Sequence, residues 1–460
     1  MALRQAKSYS IDMCSGPILP KMLRFAVPLM FSSMLQLLFN AADVIVVGRF
    51  AGDNSLAAVG STTALINLLT NLFLGLSIGA NILAARHYGA REDEELSKTV
   101  HTAMLLSILS GVLLTVAGVL GARQILTWMQ SPPEVLKLSA LYLRIYFLGM
   151  TATMLYNFGA ALLRAVGDTR RPLFYLSGAG VINVVLNLLF VIVLKMDVAG
   201  VALATVISQC ISAFLVVRCL IKESGAIRLD LRRLKLHPTK LRQILRVGLP
   251  AGFQGILFSL SNVVIQSSVN SFGEIVVAGG SAASSVENFV YVAMNAFHQA
   301  NVSFTSQNLG AGNYRRIWRV LALAECCVIA VGLLLGGSVV YFGPRLLRLY
   351  THSPAVIDCA MQRLYIVCLP YAICGIMDVA VGTLRGIGYS VLPMVVTLVG
   401  ACGLRLVWIA TIFQIPAFHT IQTVYWSYPI SWTVTFLAHM VCFFLAFRKV
   451  RRQFPEEQAV

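Results

Sequence analysis

FAVPLMFSSMLQLLFNAADVIVVGRFAG, residues 25–52, decides the fold. It is an apolar run longer than the roughly 20 helical residues needed to cross a hydrocarbon slab of about 30 Å. It carries one charge before its final turn, Asp43. A carboxylate at that depth is costly and marks a functional position. Gln36 and Asn40 precede it by seven and three residues, so at about 3.6 residues per turn all three project from one helical face. Such a polar stripe points to an ion or substrate path and makes Gln36 and Asn40 candidates to line a cavity.

The rest of the chain has the same character. Of its 460 residues, 58% are hydrophobic and 12% charged, against roughly 25% charged in an ordinary soluble domain. Twelve apolar spans are predicted, at 24–48, 56–81, 99–121, 136–160, 172–194, 198–221, 244–271, 276–303, 317–341, 357–382, 392–414 and 421–446. The expected fold is an all-α polytopic membrane protein. A cytoplasmic segment 1–23 is followed by a six-helix lobe 24–221, a cytoplasmic linker 222–243, a second six-helix lobe 244–447 and a tail 448–460.

The formal charge of +17 is spread over alternate connections rather than gathered in one patch. Arg86, Arg91, Lys98, Arg164, Arg170, Arg171, Arg315, Arg316, Arg319 and the Arg448–Arg452 tail fall on one side, and the opposite connections hold few cations. The positive-inside rule therefore places both termini in the cytoplasm, and the charge records topology rather than a nucleic-acid partner. Lys222 to Arg242 reads as a strap between the lobes, compatible with a solvated loop near anionic lipid. The ten cysteines lack metal-ligand spacing. No HExxH, nucleotide-binding or P-loop fingerprint occurs, so no cofactor, nucleotide or enzymatic activity is expected.

Residues near 24–220 recur near 246–445. Pro28 matches Pro250 and Asn40 matches Asn262; Gly60-Ser61 matches Gly280-Ser281 and Asn81 matches Asn301. Leu163-Arg164-Ala165-Val166-Gly167 with Pro172 matches Leu384-Arg385-Gly386-Ile387-Gly388 with Pro393, displaced by 221 residues (384 − 163). An even number of helices separates equivalent positions, so the two lobes share one membrane orientation and are pseudo-symmetric about an axis along the membrane normal.

Residues 25–52, GLSIGANILAARHYGA (75–90), LLRAVGDTRRP (162–172) and LRGIGYSVLP (384–393) resemble the multidrug and toxic compound extrusion (MATE) family, most closely its DinF-like prokaryotic branch, across Leu19 to Lys449. The resemblance implies twelve helices in two lobes and efflux of amphipathic organic cations in exchange for H+ or Na+. It also implies a coupling site in the first lobe made of Asp43, Asn183, Asn187 and Thr205, with a bend of the first helix at Pro28. Where that branch usually has a second aspartate this chain has Asn187, leaving one carboxylate to carry the titration. Hard oxygens suit sodium at Asp43; protonation of the carboxyl is the alternative.

In the second lobe the intramembrane acids are Glu287, Glu325 and Asp378. The stretch 254–262 lacks the helix-seven glutamate of the NorM-like branch. Asp378 and Glu287 are candidates to line a substrate cavity. Arg405, near mid-membrane, is expected to pair with Glu287, Glu325 to reach the Arg315, Arg316 and Arg319 cluster, and His298 and His439 to satisfy helix contacts. The reading is a monomeric ion-coupled exporter of the plasma membrane. The alternative, a lipid-linked saccharide flippase of the same superfamily, calls for several basic residues in the cavity.

Overall fold

A computed structural model of the protein describes residues 9–128 and 133–453, apart from the side chains of Asp53, Ala64, Glu134 and Gln453. The start of the N-terminal segment, with Arg4 and Lys7, and the end of the tail lie outside the described residues. Within hydrocarbon a backbone must satisfy its own N–H and C=O groups, so the apolar runs become helices; among the described residues every regular element is helical.

The first half comprises α1 (Ile18–Phe50), α2 (Asp53–Gly89), α3 (Asp93–Trp128), α4 (Pro133–Leu148), α5 (Met150–Ala165), α6 (Arg170–Leu188) and α7 (Asp197–Lys222), with a π-helical turn Leu189–Val193 after α6. The second comprises α8 (Pro238–Asn270), α9 (Glu274–Gly310), α10 (Tyr314–Tyr341), the short α11 (Gly343–Leu347), α12 (Pro354–Arg363), α13 (Tyr371–Gly386), α14 (Val391–Thr397), α15 (Leu404–Ala410) and α16 (Ile421–Gln453). π-Helical turns Leu364–Cys368 and Leu398–Gly403 follow α12 and α14.

Among the described residues ten helices are each long and apolar enough to cross a membrane, and counting each of two bent pairs as one span brings the number to twelve. The bent pairs are where the sequence predicts single helices at 136–160 and 357–382. Val135–Leu148 meets Met150–Ala165 at 46°, and Pro354–Cys368 meets Tyr371–Gly386 at 42°. The breaks fall at Gly149 and Pro370, separated by 370 − 149 = 221 residues, the offset of the internal repeat. Pro370 has no N–H to donate, and a glycine lowers the cost of leaving the helical path. At Pro28, by contrast, α1 continues without a break from Ile18 to Phe50.

The chain forms two compact units. Among the described residues the first contains 9–13 and 31–249, the second 14–30 and 250–453, so the seams fall inside α1 and α8 just after Pro28 and just before Pro250. The first unit is centred on the faces of α2, α3, α4, α5 and α7 that turn inward. Asn81 Nδ2 of α2 donates to Ala161 O of α5 at 2.7 Å. Its repeat equivalent in the second unit, Asn301 of α9, donates to Val379 O at 2.8 Å and Thr383 Oγ1 at 2.7 Å of α13. Buried amides that bond across to the facing helix help to fix helix register.

One glycine pair explains part of the repeat. Gly167 and Gly388, which end the matched Arg-containing motifs, have φ of +93° and +98°, a left-handed conformation that side chains avoid. Gly79 of α2 and Gly248 of α8 allow backbone contact inside the first unit. A Cβ on Gly79 would lie 2.5 Å from Ile244 O, and one on Gly248 would lie 2.6 Å from Leu76 Cα.

The linker is tied to the first unit rather than simply solvated. Asp230 N donates to His101 Nε2 at 3.1 Å, His237 N donates to Thr102 Oγ1 at 3.1 Å, and Leu229 N donates to Leu220 O at 3.0 Å. Lys240 Nζ lies 2.5 Å from Glu95 Oε2. At the α5–α6 turn, the fully buried Asp168 accepts the N–H groups of Arg170 and Arg171, each at 3.1 Å. It also pairs with the Arg171 side chain, which reaches Glu223 at the end of α7. The GDTRRP run is therefore a helix cap and an inter-helix tie.

Gly79→Leu is expected to destabilise the protein by at least about 1–3 kcal/mol through overpacking. Gly60→Ala, in the same helix and with open space at its Cβ, is expected to leave stability unchanged or slightly raised. Thermal melting of the detergent-purified variants checks the pair.

Candidate functional site

Asp43 stands on α1, Asn183 and Asn187 one turn apart on α6, and Thr205 on α7; all belong to the first unit. The structure brings the four side chains together. Asn187 Nδ2 donates to Asp43 Oδ1 and lies 3.3 Å from Asn183 Oδ1. Asn183 Nδ2 donates to Thr205 Oγ1 at 3.4 Å. Thr205 Oγ1 lies 3.5 Å from Asp43 Oδ2 and 3.0 Å from Val201 O, so its single proton has two acceptors to choose between. Asn187 is fully buried and Asn183 nearly so.

A glycine sets this meeting of helices. The Phe39 ring, one turn before Asp43, occupies the space over Gly180, one turn before Asn183, where a Cβ would lie 1.8 Å from Phe39 Cε2. Seating an aromatic ring against bare backbone draws α1 onto α6 and aims Asp43 at the two amides. Tyr142 and Tyr146 of α4 stack at 5.9 Å and lie within the electrostatic reach of Asp43. Sequence reading passed over this i, i+4 tyrosine pair, whose spacing is its only signal.

One atom in the cluster lacks a partner. Asn187 Oδ1 is buried with no donor. A buried acceptor without a donor costs about 1–3 kcal/mol, and here it belongs to the same amide whose Nδ2 donates to Asp43. A sodium ion would be met by hard oxygens from Asp43, Asn187, Asn183 and Thr205, a set whose single charge and neutral ligands suit an alkali cation. A proton on Asp43 would serve as well: after a half-turn of the Asn187 amide, the new O–H has an acceptor. The arrangement can hold one positive charge of either kind.

The other candidates divide. Gln36 and Asn40 share a face with Asp43 but are exposed and form no hydrogen bond to the cluster. Pro28 falls in the second unit. Glu287 does not pair with Arg405: Arg363 Nε and Nη2 each donate to its carboxylate at 3.1 Å. Both partners are buried, and a planar fork matched to a carboxylate is the geometry that favours the pair. Arg363 sits at the end of α12 inside a predicted span, so Arg405 is not the lone buried cation. Asp378, half-buried on α13, lies in the fields of Arg385 and Tyr291.

Arg385 is turned inward, 5% exposed, with Nη2 donating to Gln254 Oε1 at 2.8 Å. Glu325 does not reach the arginines of α10, since neither carboxylate oxygen has a hydrogen-bond partner. His298 Nδ1 meets Asp378 O at 2.6 Å, and His439 Nε2 meets Thr397 Oγ1 at 3.1 Å. Both histidines therefore make helix contacts.

Phe39→Ala is expected to relieve much of the damage done by Gly180→Ala, which alone should cost about 1–3 kcal/mol; melting of both single variants and the double variant measures the coupling. Glu287→Ala strands a buried guanidinium and should cost about 3–5 kcal/mol, whereas joint replacement by Glu287→Leu and Arg363→Met should cost much less. The same melting experiment distinguishes the two.

The family model described as MatE matches residues 28–189 and again 250–411. A relative named probable multidrug resistance protein YoeA, from Bacillus subtilis strain 168, is 29% identical over 388 residues, spanning 83% of this chain and 84% of that protein. A FAD transporter of Shewanella oneidensis is 24% identical over 367 residues, spanning 78% of this chain and 79% of its own. Among solved structures, the outward-facing conformation of a multidrug resistance MATE family transporter of the MOP superfamily superposes with a TM-score of 0.91 at 22% identity. That match covers 97% of this chain and 100% of the other.

Proposed function

This chain belongs to the MatE family, and on that premise we propose that it is a secondary active multidrug exporter, moving amphipathic organic cations out of the cell in exchange for H+ or Na+. The names of its relatives support the drug-efflux part of the reading. The ion-coupling part rests on one observation: the Asp43 carboxylate is closed by Asn187 and Thr205 beside an acceptor oxygen that has no donor.

The cycle follows from that cluster. With Asp43 ionised and empty, Asn187 and Thr205 donate to it and the site carries one negative charge. A cation arriving from outside neutralises the carboxylate and supplies the positive partner that Asn187 Oδ1 lacks. Neutralisation removes the electrostatic reason for α6 and α7 to donate toward α1, so α1 relaxes within the first lobe and drug is displaced. Alternating access of the two lobes then carries the ion inward and releases it to the cytoplasm. Both termini are cytoplasmic in this scheme, the membrane is the plasma membrane, and the working unit is a monomer in contact with lipid and small-molecule drug. Gln36 and Asn40, exposed on the Asp43 face of α1, are the residues proposed to line the drug path in the first unit.

In inverted vesicles, a fluorescent organic cation should accumulate with the wild-type protein under an imposed proton or sodium gradient. The gradient that drives it names the coupling ion. Asp43→Asn should abolish ion-driven accumulation while leaving expression intact. Full activity in that variant would overturn the site, and absence of dye transport under either gradient would overturn the exporter reading.

A further inference from the structure

Arg405 of α15 is 1% exposed, and no carboxylate lies within ion-pair distance of it among the described residues. Its Nε donates to Ser431 Oγ at 2.8 Å, while Nη2 is buried without an acceptor. Three aromatic rings surround the guanidinium, with centroids 4.3 Å (Tyr428), 5.5 Å (Trp432) and 5.6 Å (Phe258) from Cζ. The faces of these rings offset part of the charge, but they provide no full acceptor. The Trp432 indole, a donor only, is itself 2% exposed and its Nε1 has no acceptor either.

The buried acid Glu287 is already committed: it gives both oxygens to Arg363, whose Cζ lies 5.8 Å from the centroid of the Tyr428 ring that Arg405 also touches. Counting Arg405 and Arg363 as +1 each and Glu287 as −1, with Asp378 of α13 set against Arg385, this group retains a net charge of +1 (1 + 1 − 1). The groups facing Arg405 from its neighbours are Cys374 and Tyr371 of the α13 segment, Cys402 before α15, and Tyr428 and Ser431 of α16. None is an acid. An unpaired charge inside a membrane lobe is expensive, and water would meet the idle donors without cancelling it.

We propose that the second unit contains an anion site centred on the Arg405 guanidinium and the Trp432 indole N–H, taking a small, weakly hydrated monovalent anion of the halide or nitrate class. The excess charge is one, so a monovalent ion neutralises the group where sulfate or phosphate would over-compensate. The donors are enclosed, so the ion must shed its water on entry; that favours bromide and nitrate over more strongly hydrated ions, as the weakly hydrated guanidinium itself does. This site is separate from the Asp43 cluster and does not depend on the exporter reading.

The test uses the purified full chain in detergent, exchanged into gluconate and titrated at constant ionic strength with chloride, bromide or nitrate while the melting midpoint is followed. Poorly hydrated anions do not ordinarily strengthen folding, whereas excluded salts such as sulfate do. A saturable rise in midpoint, larger for bromide and nitrate than for chloride, is therefore expected only from binding. Trp432→Phe keeps the ring and removes the N–H, and should weaken the apparent affinity about tenfold. Arg405→Gln should remove the response altogether. A wild-type midpoint indifferent to the anion would overturn the site and leave water as the acceptor. So would a wild-type response in Trp432→Phe, a variant that tests the proposal even where Arg405→Gln fails to fold.

Discussion

The cost of enclosing a charge in a hydrocarbon medium governs this protein more than any other term. Each buried ion must meet a partner, be neutralised or recruit something from outside. Asp168, Arg171 and Glu223 answer by pairing near the helix ends, and Glu287 and Arg363 by a bidentate fork in the second unit. Asp43 answers differently: its partners are one neutral amide, Asn187, and the Thr205 hydroxyl, which stabilise a carboxylate without cancelling its charge. A fully paired acid is structural; one surrounded by uncharged donors stays available to a mobile cation.

Much of this was legible in the sequence because it is local or repeated. The depth of Asp43 follows from counting along one apolar run, and the i, i+4 spacing of Asn183 and Asn187 places them on one face. The repeat of Arg164–Gly167 at Arg385–Gly388 is explained by a left-handed glycine required twice. What could not be read depends on contacts between distant residues. Glu287 and Arg363 are 76 positions apart, and Arg405 lay at a comparable membrane depth, so hydropathy and depth offered no way to choose between the two arginines. Register decided, by facing α9 with α12.

The bends at Gly149 and Pro370 were hidden for another reason. Hydropathy continues across both, so each read as one span, and neither residue alone requires a break. Only their equivalence under the repeat reveals that both halves break the same helix at the same place. Pro28 lies inside α1, a single helix from Ile18 to Phe50. A proline removes one hydrogen bond; whether the helix then turns is decided by what packs on either side.

Asn187 in place of an acid also limits energetics. Under the proposed exchange, with Asp43 the only carboxylate in the cluster, each cycle would trade one elementary charge for one. Swapping a monovalent cation for a single proton or sodium ion is electrically silent, so membrane voltage does no work on the exchange. A tenfold ion gradient, about 1.4 kcal/mol, then sustains at most about a tenfold gradient of drug. A second acid would add voltage as a driving force and raise that ceiling, at the expense of another charge to bury.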